Sequence, residues 1–203
     1  PTSKDDVSIL GLGCMRFSKK NGSIDQEKAE RVMHAALQRG INYFDTAYIY
    51  GGNEAALGKF FAKGNRSKVL LATKLPHFRV KKLNDAIRIF EEELTRLQTD
   101  YVDYYLLHRL GEVGSLSRLR ELGVIDWLEQ QKQNGTIRNI GFSYHGGTPA
   151  FTALLDAYPW DFCQIQYNYM DEFAQAGVDG LRYAYKMQVP VVIMEPLKGG
   201  QLT

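Results

Sequence analysis

The chain has 203 residues, 44% hydrophobic and 24% charged, which suits one ordinary globular domain with a single sizeable core. Twenty-five basic residues against 23 acidic leave a net charge of +2, too weak a field to select nucleic acid or an anionic membrane as partner. Cys14 and Cys163 fit no CxxC pattern, so neither a disulfide framework nor a metal site is suggested, and no apolar run is long enough to span a bilayer. A cytoplasmic enzyme-like domain is the default. The start at Pro1, without Met, is what a fragment of a longer protein would show, and the sequence is silent on oligomeric state.

In chain order, short β-branched and aromatic runs alternate with amphipathic helical stretches. "ILGLGCM" (9–15) reads as a strand. Helix 25–39 follows, with Ala29, Val32, Met33, Ala36 and Leu37 on one face. Ser23 with Gln26 resembles a capping box, and Gly40 stands where a helix C-terminal glycine belongs. "INYFDTA" (41–47) predicts a strand and "NEAALGKFFA" (53–62) a helix. Then come strand 68–75 and helix 84–97, whose Ile87, Phe90, Leu94 and Leu97 share a face. Strand 101–108 leads into a helix that ends near Gly135. Strand 136–143 precedes a helix opened by Thr148 as N-cap and Pro149 in the first turn. Strand 162–168, a helix near 178–188 and strand 189–196 complete the run.

Seven βα-like units without a linker predict parallel strands joined by helical crossovers. A doubly wound sheet fits the alternation too, but seven strands in one run favour a (β/α)₈ barrel, which typically takes about 250 residues. The expected fold is therefore α/β: one domain over 1–203, a (β/α)₈ TIM barrel truncated after its seventh strand.

Barrel active sites gather at the C-terminal strand ends. Those ends carry Asp45, Lys74, His108, Ser143, Gln164 and Glu195, with Tyr50 just past the second. Singly, each has an ordinary explanation as a cap, an exposed strand-end charge or a satisfied core histidine. Together they suggest proton transfer to a carbonyl oxygen. A lysine cation near a phenol lowers the phenol's pKa, and a buried lysine needs a carboxylate to keep its charge. A neutral histidine can then orient the oxygen.

The motifs resemble those of the aldo-keto reductases. "FDTAYIYGGNEAALG" is similar to the family's second-strand signature, "ATKL" to its third-strand lysine motif and "VDYYLLH" to its fourth-strand histidine motif. "IRNIGFS" and "FCQIQYN" resemble the segments that hold the nicotinamide. The resemblance runs through the whole chain in order. It implies NAD(P)H-dependent reduction of an aldehyde or ketone, with a tetrad of Asp45, Tyr50, Lys74 and His108. Tyr50 would be the acid, Lys74 and Asp45 its tuning pair, and His108 the orienter. Ser143 and Gln164 would bond the nicotinamide carboxamide, while Met15, Arg16, Leu197 and Gly199 would lie along the cofactor.

NADPH is the expected cofactor, with NADH possible, since the family's 2′-phosphate grip follows the eighth strand, beyond Thr203. A small carbonyl compound is the expected partner, with Phe17, Phe78 and Tyr144 as pocket walls. Departures from the family pattern are Tyr144–His145 after Ser143, and Met194 where many members stack a tyrosine. "GFSYHG" and "VVIMEPLKGG" resemble a bacterial branch often fused to a ferredoxin-like iron–sulfur segment, so a cluster would come only with such an extension outside this sequence. Two other readings are a cofactor-binding regulatory or scaffold subunit without turnover, and a Schiff-base enzyme using Lys74 as nucleophile.

Overall fold

Seven extended segments pair side by side in sequence order, every neighbouring pair parallel. They are β1 (Gly11–Gly13), β2 (Tyr43–Asp45), β3 (Leu70–Leu75), β4 (Val102–Leu107), β5 (Ile137–Tyr144), β6 (Phe162–Gln166) and β7 (Val191–Met194). Helices α1 (Gln26–Gln38), α2 (Asn53–Phe60), α3 (Leu83–Leu97), α4 (Val113–Glu121), α5 (Val124–Gln133), α6 (Thr148–Ala157) and α7 (Gly177–Lys186) supply the crossovers. The structure, a computed structural model, describes residues 6–203. The sheet curls until β1 and β7 line opposite sides of one slot of about 520 Å³, with Gly11–Gly13 on one side and Val191–Met194 on the other. This is the expected α/β barrel form lacking its eighth strand. Among the described residues, no helix is long and apolar enough to cross a membrane.

A strand sends alternate side chains to opposite faces, and that period of two divides the core in two. Inside the curl, Tyr43, Ala72, Tyr104, Leu106 and Phe162 form one cluster. Tyr104 sits edge-on to both Tyr43 and Phe162, with centroids 5.3 and 5.1 Å away. Gly141 is required there, because a Cβ on it would lie 2.5 Å from the Phe162 ring. Outside, Phe44, Leu71, Leu75, Tyr105, Leu107, Ile140, Phe142 and Ile165 pack with the helices in the larger core. Both cysteines are buried and unpaired, and burial pushes the Cys163 thiol up to about 12.

The local differences from the sequence reading have identifiable causes. Helix α1 is capped by Asp25, whose Oδ1 accepts from the Lys28 N–H at 3.2 Å, and Ser23 belongs instead to a short hairpin, Lys19–Lys20 against Ser23–Ile24. Asn21 and Gly22 turn that hairpin at φ +51° and +79°, the left-handed pair that Asn-Gly favours. Thr148 does not cap α6 with its side chain; its hydroxyl donates to the Ala176 carbonyl at 3.0 Å. The single helix expected before Gly135 is two, α4 and α5, broken at Gly123 with φ +73°.

The outward face of β3 holds a buried polar cluster. Thr73 Oγ1 lies 2.8 Å from Glu54 Oε1 and 3.2 Å from Glu93 Oε1, both carboxyls being fully enclosed between α2 and α3. A hydroxyl has one proton to give, so the second contact needs a proton on a carboxyl group. Glu54 faces Arg96, with Oε2 3.3 Å from Nη1, whereas among the described residues Glu93 meets only Thr73, Glu54 and the Tyr105 hydroxyl, which donates to its Oε2 at 2.6 Å. The proton therefore rests on Glu93, and burial, then the Glu54 charge, hold that carboxyl well above its ordinary 4.5. The folded protein keeps a proton that the unfolded chain releases above about 4.5, so this pair's stabilisation is full below that pH and declines as pH rises. In urea unfolding followed against pH, Glu93→Gln should flatten that decline. Glu93→Ala, which leaves the buried Tyr105 hydroxyl without its acceptor and opens a void between α2 and α3, should cost about 3 kcal/mol.

Candidate active site

Toward the C-terminal ends of successive strands the inward positions turn polar, where the positions below them are mostly apolar or aromatic. Tyr43 is followed two residues on by Asp45, Ala72 by Lys74, Leu106 by His108 and Phe162 by Gln164, while Gly141 leads to Ser143. Because the strands are parallel and in register, these side chains meet at one end of the curl. They line a cavity of about 590 Å³ together with Tyr50 and the segment following β7.

Lys74 is 1% exposed, and its ammonium lies 2.5 Å from Asp45 Oδ1 and 2.7 Å from the Thr46 carbonyl oxygen. The second Asp45 oxygen accepts from Gln164 Nε2 at 3.0 Å, a bond that reaches from β6 to β2. Tyr50 follows β2 on a turn fixed by its own N–H to the Ala47 carbonyl, and its carbonyl accepts from Asn53 N at the start of α2. Its ring stands edge-on to His108, centroids 5.8 Å apart at 86°, and Lys74 Nζ lies 5.5 Å from the ring centre. The Tyr50 hydroxyl takes no hydrogen bond from, and gives none to, the described residues.

Burial lowers the His108 imidazole to about 3, helped by the nearby charges of Lys74 and Arg109. It is neutral at pH 7, and its Nδ1 is buried without a partner among the described residues. The Tyr50 phenol moves opposite to expectation. Burial first, then the charges of Asp45 and Glu195, push it well above 10. Lys74, held by Asp45 and 5.5 Å from the ring centre, does not offset that shift in the resting phenol.

All ten residues singled out from the sequence (Met15, Arg16, Asp45, Tyr50, Lys74, His108, Ser143, Gln164, Leu197 and Gly199) line this cavity. Gly199 has φ +70°, and a Cβ there would lie 3.2 Å from Arg16 Nη1, so the turn after β7 sits directly against that guanidinium. The expected walls fail. Phe17 and Tyr144 are buried in the helix-side core, with Tyr144 donating to the Gly147 carbonyl, and exposed Phe78 stands edge-on to His77 outside the cavity lining. Ile49, Arg109, His145 and Met194 stand in their place, with Glu195 beside them. Arg109, directly after the strand-end histidine, was missed, because the left-handed φ of +57° that places it here leaves no mark in the sequence.

The sequence pattern of the Aldo/keto reductase family matches residues 9–203. The uncharacterized oxidoreductase YrpG of Bacillus subtilis is 33% identical over 220 aligned residues, covering 97% of this chain and 64% of that protein. Among solved structures, the holo form of an aldo-keto reductase from Bacillus halodurans matches with a TM-score of 0.80 at 31% identity, covering 97% of this chain and 65% of that one. An aldo-keto reductase from Klebsiella pneumoniae in complex with NADPH matches at 0.77 and 28% identity, over 97% and 66%. The chain spans just under two thirds of the length of each.

The electrostatics of His108 give a direct expectation. Its imidazole should titrate by NMR with a midpoint near 3, with no transition near 6.5. The unfolded chain takes that proton first on acidification, so the stabilisation from neutral His108 is present above 6.5 and falls away as pH drops toward 3.

Proposed function

Because the chain belongs to the aldo/keto reductase family, we propose that it carries the catalytic half of a nicotinamide-dependent carbonyl reductase, in which Tyr50 is the proton donor. The observation that carries this reading is one cavity lined by Asp45, Tyr50, Lys74 and His108, in which the phenol proton is uncommitted.

The residues at the cavity suit a nicotinamide. Ser143 Oγ accepts from the Arg109 N–H at 2.8 Å but keeps its own proton free, and Gln164 gives its amide N–H to Asp45 but keeps its carbonyl oxygen. One donor and one acceptor are the complement of a carboxamide. Met194 offers a thioether to an aromatic face. Met15, Arg16, Leu197 and the Gly199 turn would run along the remainder of the cofactor, with the Arg16 guanidinium suited to its phosphates. NADPH, the ligand of the Klebsiella relative, is the first cofactor to test and NADH the second. When bound, it supplies hydride to the carbonyl carbon.

The chain's own residues handle the proton. Neutral His108 directs a carbonyl oxygen toward the Tyr50 hydroxyl, against whose ring it stands edge-on. The high affinity of the buried phenol for its proton keeps it in the acid form through neutral pH. As Tyr50 releases that proton, negative charge grows on the ring nearest the Lys74 ammonium, which Asp45 and the Thr46 carbonyl hold in place. Lys74 thus acts on the tyrosinate formed during the reaction rather than on the resting phenol.

Tyr50→Phe should lower aldehyde-dependent oxidation of NADPH by at least about 10²-fold, with cofactor binding by fluorescence retained. Unchanged turnover in that variant would overturn the assignment. A wild-type protein that binds NADPH yet oxidises it with no aldehyde in a panel would instead be a cofactor-binding regulator.

A further inference from the structure

Arg109 is held in a strained backbone conformation at the rim of the cavity. It directly follows His108 and has φ +57°, a left-handed conformation disfavoured for any residue with a Cβ. Two contacts fix the peptide. Its N–H donates to buried Ser143 Oγ at 2.8 Å, and its carbonyl oxygen faces His77 Nε2 at 3.4 Å. The effect is to turn an exposed guanidinium to the cavity wall. Elsewhere Arg66 pairs with Asp103, Arg96 with Glu54 and Arg138 with Asp103. The Arg109 guanidinium has no hydrogen bond or ion pair among the described residues.

The cavity is also electrically two-sided. His108, on the β4 side, feels the cations Lys74 and Arg109 and the neighbouring His145 and His77. Tyr50 feels Asp45 and Glu195, the latter at the end of β7 with φ +56°. His145 lies between, sensing both Glu195 and Arg109, and burial holds its own imidazole below the usual range. Asp45 is ion-paired with Lys74, whereas Glu195 on one wall and Arg109 on the other have no ion-pair partner among the described residues; Arg16, the other unpaired cation of the lining, lies against the Gly199 turn, where the proposed cofactor would run.

We propose that Arg109 anchors an anionic group, carboxylate or phosphate, on the carbonyl substrate, and that Glu195 repels that group from the opposite wall and so fixes which way the substrate enters. This rests on the carbonyl-reductase reading and narrows it to oxo acids or phosphorylated aldehydes. A guanidinium suits either oxyanion, since its parallel N–H groups match two oxygens at once.

The test compares matched substrates: benzaldehyde with para-carboxybenzaldehyde, and glyceraldehyde with glyceraldehyde phosphate. The wild-type protein should prefer the charged member of at least one pair in kcat/KM, and the pair so preferred tells carboxylate from phosphate. Arg109→Ala should lower the charged-to-neutral ratio by about tenfold or more, chiefly through KM, and Arg109→Lys should restore part of it. A wild type that prefers neither anion, or a ratio that Arg109→Ala leaves unmoved, overturns the proposal. If no aldehyde is turned over, the reductase reading fails separately. Calorimetric binding of para-carboxybenzaldehyde and glyceraldehyde phosphate to wild type and Arg109→Ala then decides: loss of either in the variant sustains the anion site, and equal or absent binding overturns it.

Discussion

A lysine ammonium that is 1% exposed sits at the end of β3, and the architecture of the site depends on how that charge is kept. An isolated buried cation would lose its proton or unfold its surroundings. Here Asp45 closes on it from β2 at 2.5 Å and the Thr46 carbonyl at 2.7 Å. Gln164 then takes the remaining Asp45 oxygen from the far side of the sheet. Three strands are thereby tied at their C-terminal ends by one ion pair and its hydrogen bonds. A buried pair of this kind is weak evidence for stability, since desolvating two charges offsets much of their attraction. Its value lies in geometry. It leaves Lys74 fixed beside the Tyr50 ring, where a charge appearing on the phenol meets a cation already in position.

The same desolvation that makes the pair necessary sets the protonation of its neighbours. His108 and Tyr50 are pushed in opposite directions on the pKa scale, yet both toward their neutral forms, which is what burial does to any ionisable group. A neutral imidazole next to an intact phenol is the arrangement the proposed carbonyl chemistry calls for, and it holds across the whole neutral range.

Strand and helix alternation was legible because aromatic and β-branched runs of period two stand out between amphipathic helices. The residues at the strand ends were less legible, since Asp45, Lys74 or His108 alone has an ordinary explanation. They became a set only when the strands were ordered and the family motifs matched. Pocket walls were misjudged for a definable reason. Tyr144 is one residue past Ser143, so it faces the helices while Ser143 faces the cavity, and Phe17 packs under the first connection. Arg109 escaped notice because its role depends on a left-handed φ, and nothing in the dipeptide His-Arg announces one. The Lys19–Ile24 hairpin, by contrast, carried a readable Asn-Gly turn that helix periodicity overshadowed.

Residues Thr73 and Lys74 show how far one strand carries the design. Consecutive side chains on β3 point to opposite faces, so the strand has two polar clusters back to back. Inside lies a charged pair, Lys74 with Asp45; outside lies a protonated one, Glu93 shared through Thr73 with Glu54. Glu54 is also in the first turn of α2, four residues beyond Tyr50, and Gly58 lets α2 approach α3 so closely that a Cβ there would lie 2.1 Å from the Arg96 carbonyl oxygen. The outer cluster therefore fixes the helix whose entry turn presents Tyr50, while the inner one fixes the cation beside it. The relative position of phenol and ammonium is set from both faces of a single strand, and neither the loop carrying Tyr50 nor the helix behind it has to supply that precision alone.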